Sequence, residues 1–220
     1  MQKFNPRILQ AYFICGSQDV PGLDLVKVVQ QALAAGITAY QFRDKGPQSS
    51  YNMDQRAQVA AQLRELCQKA QVPFIVDDDV QLAQTLQADG LHLGQNDTAI
   101  QEVIDKVGSQ MFIGYSCSNL TEVQGANQIA GIAYYGCGPV FATQSKADAN
   151  PVIGLNGLQQ LVQTAHRPVV AIGGITSGDL PAIAATKAAG SAVISMLAQS
   201  SDYPATVQQM LQTPWQVPDN

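Results

Sequence analysis

Residues 24 to 45 read DLVKVVQQALAAGITAYQFRDK, and this stretch holds one full repeat of the pattern that decides the fold. Leu25, Val28, Val29, Ala32 and Leu33 recur at the helical period, so residues 24 to 35 are expected to form an amphipathic helix. After Gly36 the period drops to two. In an extended chain over residues 38 to 43, Tyr40 and Phe42 point to one side while Gln41, Arg43 and, just beyond, Lys45 point to the other. A strand that is apolar on one side and increasingly polar on the other suits the wall of a barrel with a functional mouth.

The same alternation runs along the whole chain. Short apolar runs at 10–15, 38–43, 73–77, 90–94, 111–117, 132–137, 168–172 and 191–196 read as strands. Helical patterns stand between and after them at 24–35, 53–70, 79–88, 98–107, 119–129, 156–166, 177–188 and 203–212, with Val59, Leu63, Leu66 and Cys67 marking the second. Eight strands each followed by a helix predict a (β/α)8 barrel, an α/β fold. The 220 residues are expected to form a single domain around one hydrophobic core, with 213–220 as a C-terminal tail. An open doubly wound sheet is the rival. It usually carries GxGxxG after its first strand, where this chain has Gly16-Ser17-Gln18-Asp19, and a GxxxxGK[ST] phosphate loop is absent as well.

Charge narrows the function. Only 13% of residues are charged, roughly half the usual ~25%. Twelve Lys and Arg against seventeen Asp and Glu leave a net charge of −5, which argues against nucleic-acid or membrane-surface partners and requires a local cation cluster for any anionic ligand. The opening MQKFNPRILQ has no long apolar stretch, and no apolar run approaches the length of a membrane span, so a cytoplasmic location is expected. Cys15, Cys67, Cys117 and Cys137 show no metal-ligand spacing and are expected to be buried free thiols.

In a barrel of this kind the functional residues gather at the C-terminal ends of the strands. Gln41, Arg43 and Lys45 there suit an anion site, the alternative being a solvated strand end. Asp77-Asp78-Asp79 and Asp97 follow neighbouring strands, and hard carboxylate oxygens beside cations suit Mg²⁺ shared with a diphosphate. Helix capping is the other reading for Asp79 and Asp97. Gly173-Gly174 after the seventh strand and Ile194-Ser195 at the end of the eighth stand where barrels often bind phosphate, although a glycine pair also serves as a plain helix entry. His92 alternates with leucines and is expected to face the barrel interior, as a hydrogen-bonded core residue or as an acid or base. The polar loop Ala142-Thr143-Gln144-Ser145-Lys146 completes the mouth.

QFRDK, FIVDDD, GLHLGQND, IGYS, GPVFATQSK, AIGGI and VIS occur in that order, and the ordered set over about residues 10 to 200 resembles the thiamine-phosphate synthase family of transferases. The resemblance implies condensation of hydroxymethylpyrimidine diphosphate with hydroxyethylthiazole phosphate, with Mg²⁺ as cofactor, and a homodimer. It implies further that Arg43, Lys45 and Lys146 bind the diphosphate, that Gln41, His92 and Ser116 lie by the pyrimidine, and that Asp78 and Asp97 hold the metal. Thr143 and Ser145 belong to the loop over the substrate, and Gly174, Ile194 and Ser195 to the thiazole phosphate. The resemblance also makes Arg43, Lys45, Ser116 and Lys146 the expected catalytic set. Asp77 stands where the family usually has a diphosphate-binding Asn, Ser118-Asn119 replaces His-Thr, and Ala142 replaces Pro. The rivals are a TenI-like thiazole tautomerase, which needs neither the diphosphate site nor the metal site, a non-catalytic ligand-sensing barrel, and a phosphosugar epimerase, which lacks the His cluster here.

Overall fold

The structure, a computed structural model, describes residues 4–95, 97, 99–145 and 150–218. Its strands are β1 (Ala11–Cys15), β2 (Ala39–Phe42), β3 (Phe74–Asp77), β4 (Gly90–Leu93), β5 (Phe112–Cys117), β6 (Ile132–Cys137), β7 (Val169–Ile172) and β8 (Gly190–Val193). They pair in parallel in chain order, and β1 closes the ring on β8. The helices are α1 (Leu25–Ala35), α2 (Met53–Ala70), α3 (Val80–Thr85), α4 (Ile100–Val107), α5 (Leu120–Asn127), α6 (Gly154–Thr164), α7 (Leu180–Ala185), α8 (Ser195–Ala198) and α9 (Tyr203–Gln212). This is the (β/α)8 barrel that the alternation predicts. No described helix is long and apolar enough to cross a membrane.

Local chemistry sets the helix ends. Asp24 accepts from the N–H groups of Val26 and Lys27 to start α1, and Asn52 with Gln55 forms a reciprocal capping box at the start of α2. Several boundaries differ from the expectation: the third helix ends at Thr85 rather than 88 and the seventh at Ala185 rather than 188. The eighth strand stops at Val193 rather than 196, because its last ladder pairs are Phe13 with Val193 and Ile172 with Ala192; Ile194 leaves the strand and Ser195 opens α8.

The expected single core is split in two by closure of the sheet. Phe13, Tyr40, Phe42, Phe74, Val76 and Leu91 point outward and pack with Val29, Leu63 and Cys67 of the helices. Tyr12, Ile14, Ile75, Tyr134 and Val170 point inward and fill the barrel with Leu9. A closed sheet has two faces that cannot touch, so period-two alternation sorts its side chains into an inner plug and an outer annulus. Residues past α9 join the annulus: Trp215 is buried and its Nε1 donates to the Met210 carbonyl at 2.7 Å, while Gln216 N donates to the Ala188 carbonyl at 3.2 Å. All four cysteines are free and buried.

Leu63 is fully enclosed between α2 and the sheet, whereas Met53 at the start of the same helix is 87% exposed. Leu63→Ala is expected to cost about 2–5 kcal/mol in urea unfolding, and Met53→Ala no more than ~0.5 kcal/mol. Equal losses would contradict this assignment of the annulus.

Candidate active site

All eight strands contribute to a cavity of about 360 Å³ at their C-terminal ends. The inward parity of β2 brings Gln41 into it, followed by Arg43 and Lys45 just past the strand; β3 brings Asp77, β4 His92 and β5 Ser116. The solvated-strand-end reading therefore fails for Gln41, which is 2% exposed, while Arg43 is half-buried and Lys45 stays exposed at the rim.

The rim is a compact set of charges. Lys45 Nζ lies 2.8 Å from Asp77 Oδ2 and also pairs with Asp78, and Arg43 Nε lies 3.5 Å from Asp77 Oδ2. Burial lowers the proton affinity of Lys45, but Asp77 and Asp78 outweigh it and the net shift is upward, so the side chain stays an ammonium. Asp77 Oδ2 is buried with no hydrogen bond among the described residues, its charge met by the two cations. Asp97 accepts from Gly94 N, yet burial, followed by the neighbouring Asp78 carboxylate, raises its pKa. No three acidic, His or Cys side chains converge as a metal site among the described residues, but a pair of neighbouring carboxylates fits Mg²⁺, which needs only one or two and keeps its waters. Asp78 and Asp97 are the residues that could hold it. Lys45 occupies the same acidic corner.

Capping accounts for Asp79 alone. It accepts from Leu82 N at 2.9 Å to start α3 and pairs with Arg56 at 2.8 Å; burial opposes these bonds, and its pKa is lowered on balance. Asp97 caps nothing, since α4 follows Ala99, which makes no side-chain cap bond.

Asp44, between the two cations in sequence, turns the other way. It is 2% exposed and accepts from Ser17 N at 2.8 Å, Ser17 Oγ at 2.5 Å and Ser49 Oγ at 2.7 Å. These bonds tie the β2–α2 loop to the end of β1 and hold the segment that carries Arg43 and Lys45.

Opposite the charges, the loop after β6 runs beside the end of β7, with Val140 N donating to the Ile172 carbonyl at 2.9 Å and Phe141 N to the Gly173 carbonyl at 3.0 Å. Gly173 and Gly174 have φ of 101° and 64°, and a Cβ on Gly174 would overlap the Ala142 carbonyl and Phe141. The glycine pair thus admits the loop and is more than a helix entry. Thr143, Ser145, Gly174, Ile194 and Ser195 all line the cavity, and Arg43 Nη1 reaches the Ser145 carbonyl at 3.5 Å. Lys146 lies outside the described residues.

Beneath the rim runs a polar chain. Gln41 Nε2 donates to Tyr12 Oη at 2.7 Å, Tyr12 Oη and Tyr134 Oη are 2.9 Å apart, Tyr134 Oη is 3.0 Å from His92 Nδ1, and His92 Nε2 is 2.9 Å from Ser116 Oγ. His92 is thus both hydrogen-bonded and at the cavity wall. Burial pushes the phenols of Tyr12 and Tyr134 well above the ordinary tyrosine range.

The family described as thiamine monophosphate synthase matches residues 11–197. The chain belongs to the thiamine monophosphate synthase family. It is 63% identical over 209 residues to a thiamine-phosphate synthase of Lactiplantibacillus plantarum, covering 95% of this chain and 96% of that protein. A thiamine-phosphate synthase of Levilactobacillus brevis is 56% identical over 210 residues, with 95% and 96% covered. Among solved structures, a thiamine phosphate pyrophosphorylase from Pyrococcus furiosus superposes with a TM-score of 0.80 at 30% identity, covering 94% of this chain and 96% of that one.

Against the pattern of this family, one of the three departures has a local explanation. Asn119 accepts from Glu122 N at 3.0 Å and caps α5, and Ser118 Oγ accepts from Asn150 Nδ2 at 2.6 Å at the cavity edge. Nothing in the structure explains Ala142. Tyr12, Tyr134 and Asp44 are the residues that the sequence reading missed. Tyr12 was findable, two before Ile14 on the inward parity of β1, but Tyr134-Tyr135 is ambiguous in sequence because the register shifts between Ile113 and Gly114.

Asp44→Ala is expected to destabilise the fold by about 1–3 kcal/mol and to speed tryptic cleavage after Lys45, read by mass spectrometry of a timed digest. Unchanged cleavage would show that the loop is held without Asp44.

Proposed function

We propose that this barrel, acting as a single domain, joins hydroxymethylpyrimidine diphosphate to hydroxyethylthiazole phosphate, releasing diphosphate and forming thiamine phosphate. The observation that carries the reading is the convergence of Arg43, Lys45, Asp77, Asp78 and Asp97 at one end of a largely uncharged cavity. A thiazole tautomerase or a sensing barrel has no use for a diphosphate corner of that kind.

The chemistry asks little of nucleophilic side chains. The bond between the pyrimidine methylene carbon and the diphosphate oxygen breaks, its electron pair leaving with diphosphate. The electron-rich aminopyrimidine stabilises the cation left behind. The thiazole nitrogen then supplies the pair for the new carbon–nitrogen bond. No protein nucleophile is required, in keeping with thiols that burial holds protonated, Cys117 being pushed up to about 12.

Arg43 and Lys45 neutralise the leaving group, with Lys146, Thr143 and Ser145 of the loop after β6 adding to the diphosphate site. Gln41, His92 and Ser116 orient the pyrimidine, and Gly174, Ile194 and Ser195 receive the thiazole phosphate through the backbone. Asp78 and Asp97 would hold Mg²⁺, which would supply further charge neutralisation at the diphosphate. Asp77 takes charge from both cations before substrate arrives, so the diphosphate must compete with it for Lys45 and Arg43.

Mixing the protein with both phosphorylated precursors and Mg²⁺ is expected to yield thiamine phosphate. No product, together with tautomerisation of the thiazole carboxylate phosphate, would overturn this reading in favour of the tautomerase. Arg43→Glu and Lys45→Glu are each expected to weaken use of the pyrimidine diphosphate by ~100-fold or more while thiazole phosphate binding, followed by calorimetry, stays intact. Asp77→Asn is expected to keep kcat and lower the KM for the diphosphate substrate. A changed Mg²⁺ requirement in that variant would instead make Asp77 a metal ligand.

A further inference from the structure

The chain from Gln41 to Ser116 has a direction. Gln41 Nε2 is a donor only, so Tyr12 Oη accepts from it and turns its own proton toward Tyr134 Oη. With Tyr134 giving its own proton to His92 Nδ1, 3.0 Å away, the ring proton sits on Nε2, 2.9 Å from Ser116 Oγ. Burial of both phenols, reinforced by Asp77, keeps these protons in place. Gly114 makes room for the central link, since a Cβ there would overlap both Tyr134 Oη and His92 Nδ1.

We propose that Tyr12 and Tyr134 are positioning residues that hold His92 in its Nε2–H tautomer and so set the hydrogen-bond polarity of the two ends of the chain. One end is then an acceptor, the Gln41 carbonyl oxygen, which meets no donor among the described residues. The other is a donor, the Ser116 hydroxyl, whose oxygen is already occupied by the His92 proton. The proposal rests on the pyrimidine reading above. An aminopyrimidine laid between the ends presents its amino group to Gln41 and a ring nitrogen to Ser116. The 4-oxo analogue would set one carbonyl against another. Were the chain to run in the opposite sense, with Nδ1–H on His92, the site would favour the 4-oxo ring.

The chain contains two histidines, His92 and His166, so ¹⁵N-histidine spectra of the free protein at mildly alkaline pH, with His166→Gln for assignment, read the tautomer directly. Nε2–H with bare Nδ1 is expected. An Nδ1–H or doubly protonated His92 would overturn the proposal whatever the enzyme's activity proves to be.

Tyr134→Phe, and independently Tyr12→Phe, should erode that single tautomer. Each should also narrow the kcat/KM preference for hydroxymethylpyrimidine diphosphate over its 4-oxo analogue by about tenfold, with the KM for thiazole phosphate unchanged. If both variants fold and keep wild-type discrimination, the tyrosines only fill the barrel and the proposal fails. Absence of thiamine phosphate formation by the wild type, with the expected tautomer present, would instead count against the proposed function alone.

Discussion

Closure of eight parallel strands imposes the constraint on which everything else depends: every second side chain must go inside a ring just wide enough for side chains to fill. The lower interior is packed by Leu9, Ile75 and Val170. Toward the C-terminal end the inward positions turn polar, and each polar atom there needs a partner because unpaired groups in such a place are costly. Tyr12, Tyr134 and His92 satisfy this need with one continuous chain. The same packing requirement that stabilises the barrel thereby builds the floor of its site.

Above that floor the energetics are Coulombic. A chain with so few charges places opposite ones in direct contact at its mouth, where Lys45 meets two carboxylates, and sets the like charges of Asp78 and Asp97 side by side. Arg43 and Lys45 face Asp77, Asp78 and Asp97 there, and under the proposed function a diphosphate would offer the cations a further partner and Mg²⁺ would do so for the carboxylates. Asp44 keeps the balance from relaxing by fixing the loop between β2 and α2 from its buried side.

Much of this was legible in one dimension because it follows from periodicity. Leu25 to Leu33 and Tyr40 to Lys45 carry their element type and facing in their spacing, and the acids after β3 and β4 carry theirs in position. Less local features were hidden. Asp44 sits in a run of charges and looks like any surface residue until Ser17 and Ser49 are seen to converge on it. Whether Asp97 capped a helix or faced the cavity depended on where α4 began, a matter of one turn.

The sequence by itself determined the barrel, its order of strands, the family, and the residue types at the mouth, since these depend on side-chain alternation and on motifs contiguous in the chain. Only the tertiary structure decided which tyrosine of the Tyr134-Tyr135 pair enters the barrel, that one core becomes two, and that Gln41, Tyr12, Tyr134, His92 and Ser116 form one hydrogen-bonded line. Those contacts join residues from five different strands, and their geometry is set by closure and register across the ring, which no stretch of sequence encodes locally.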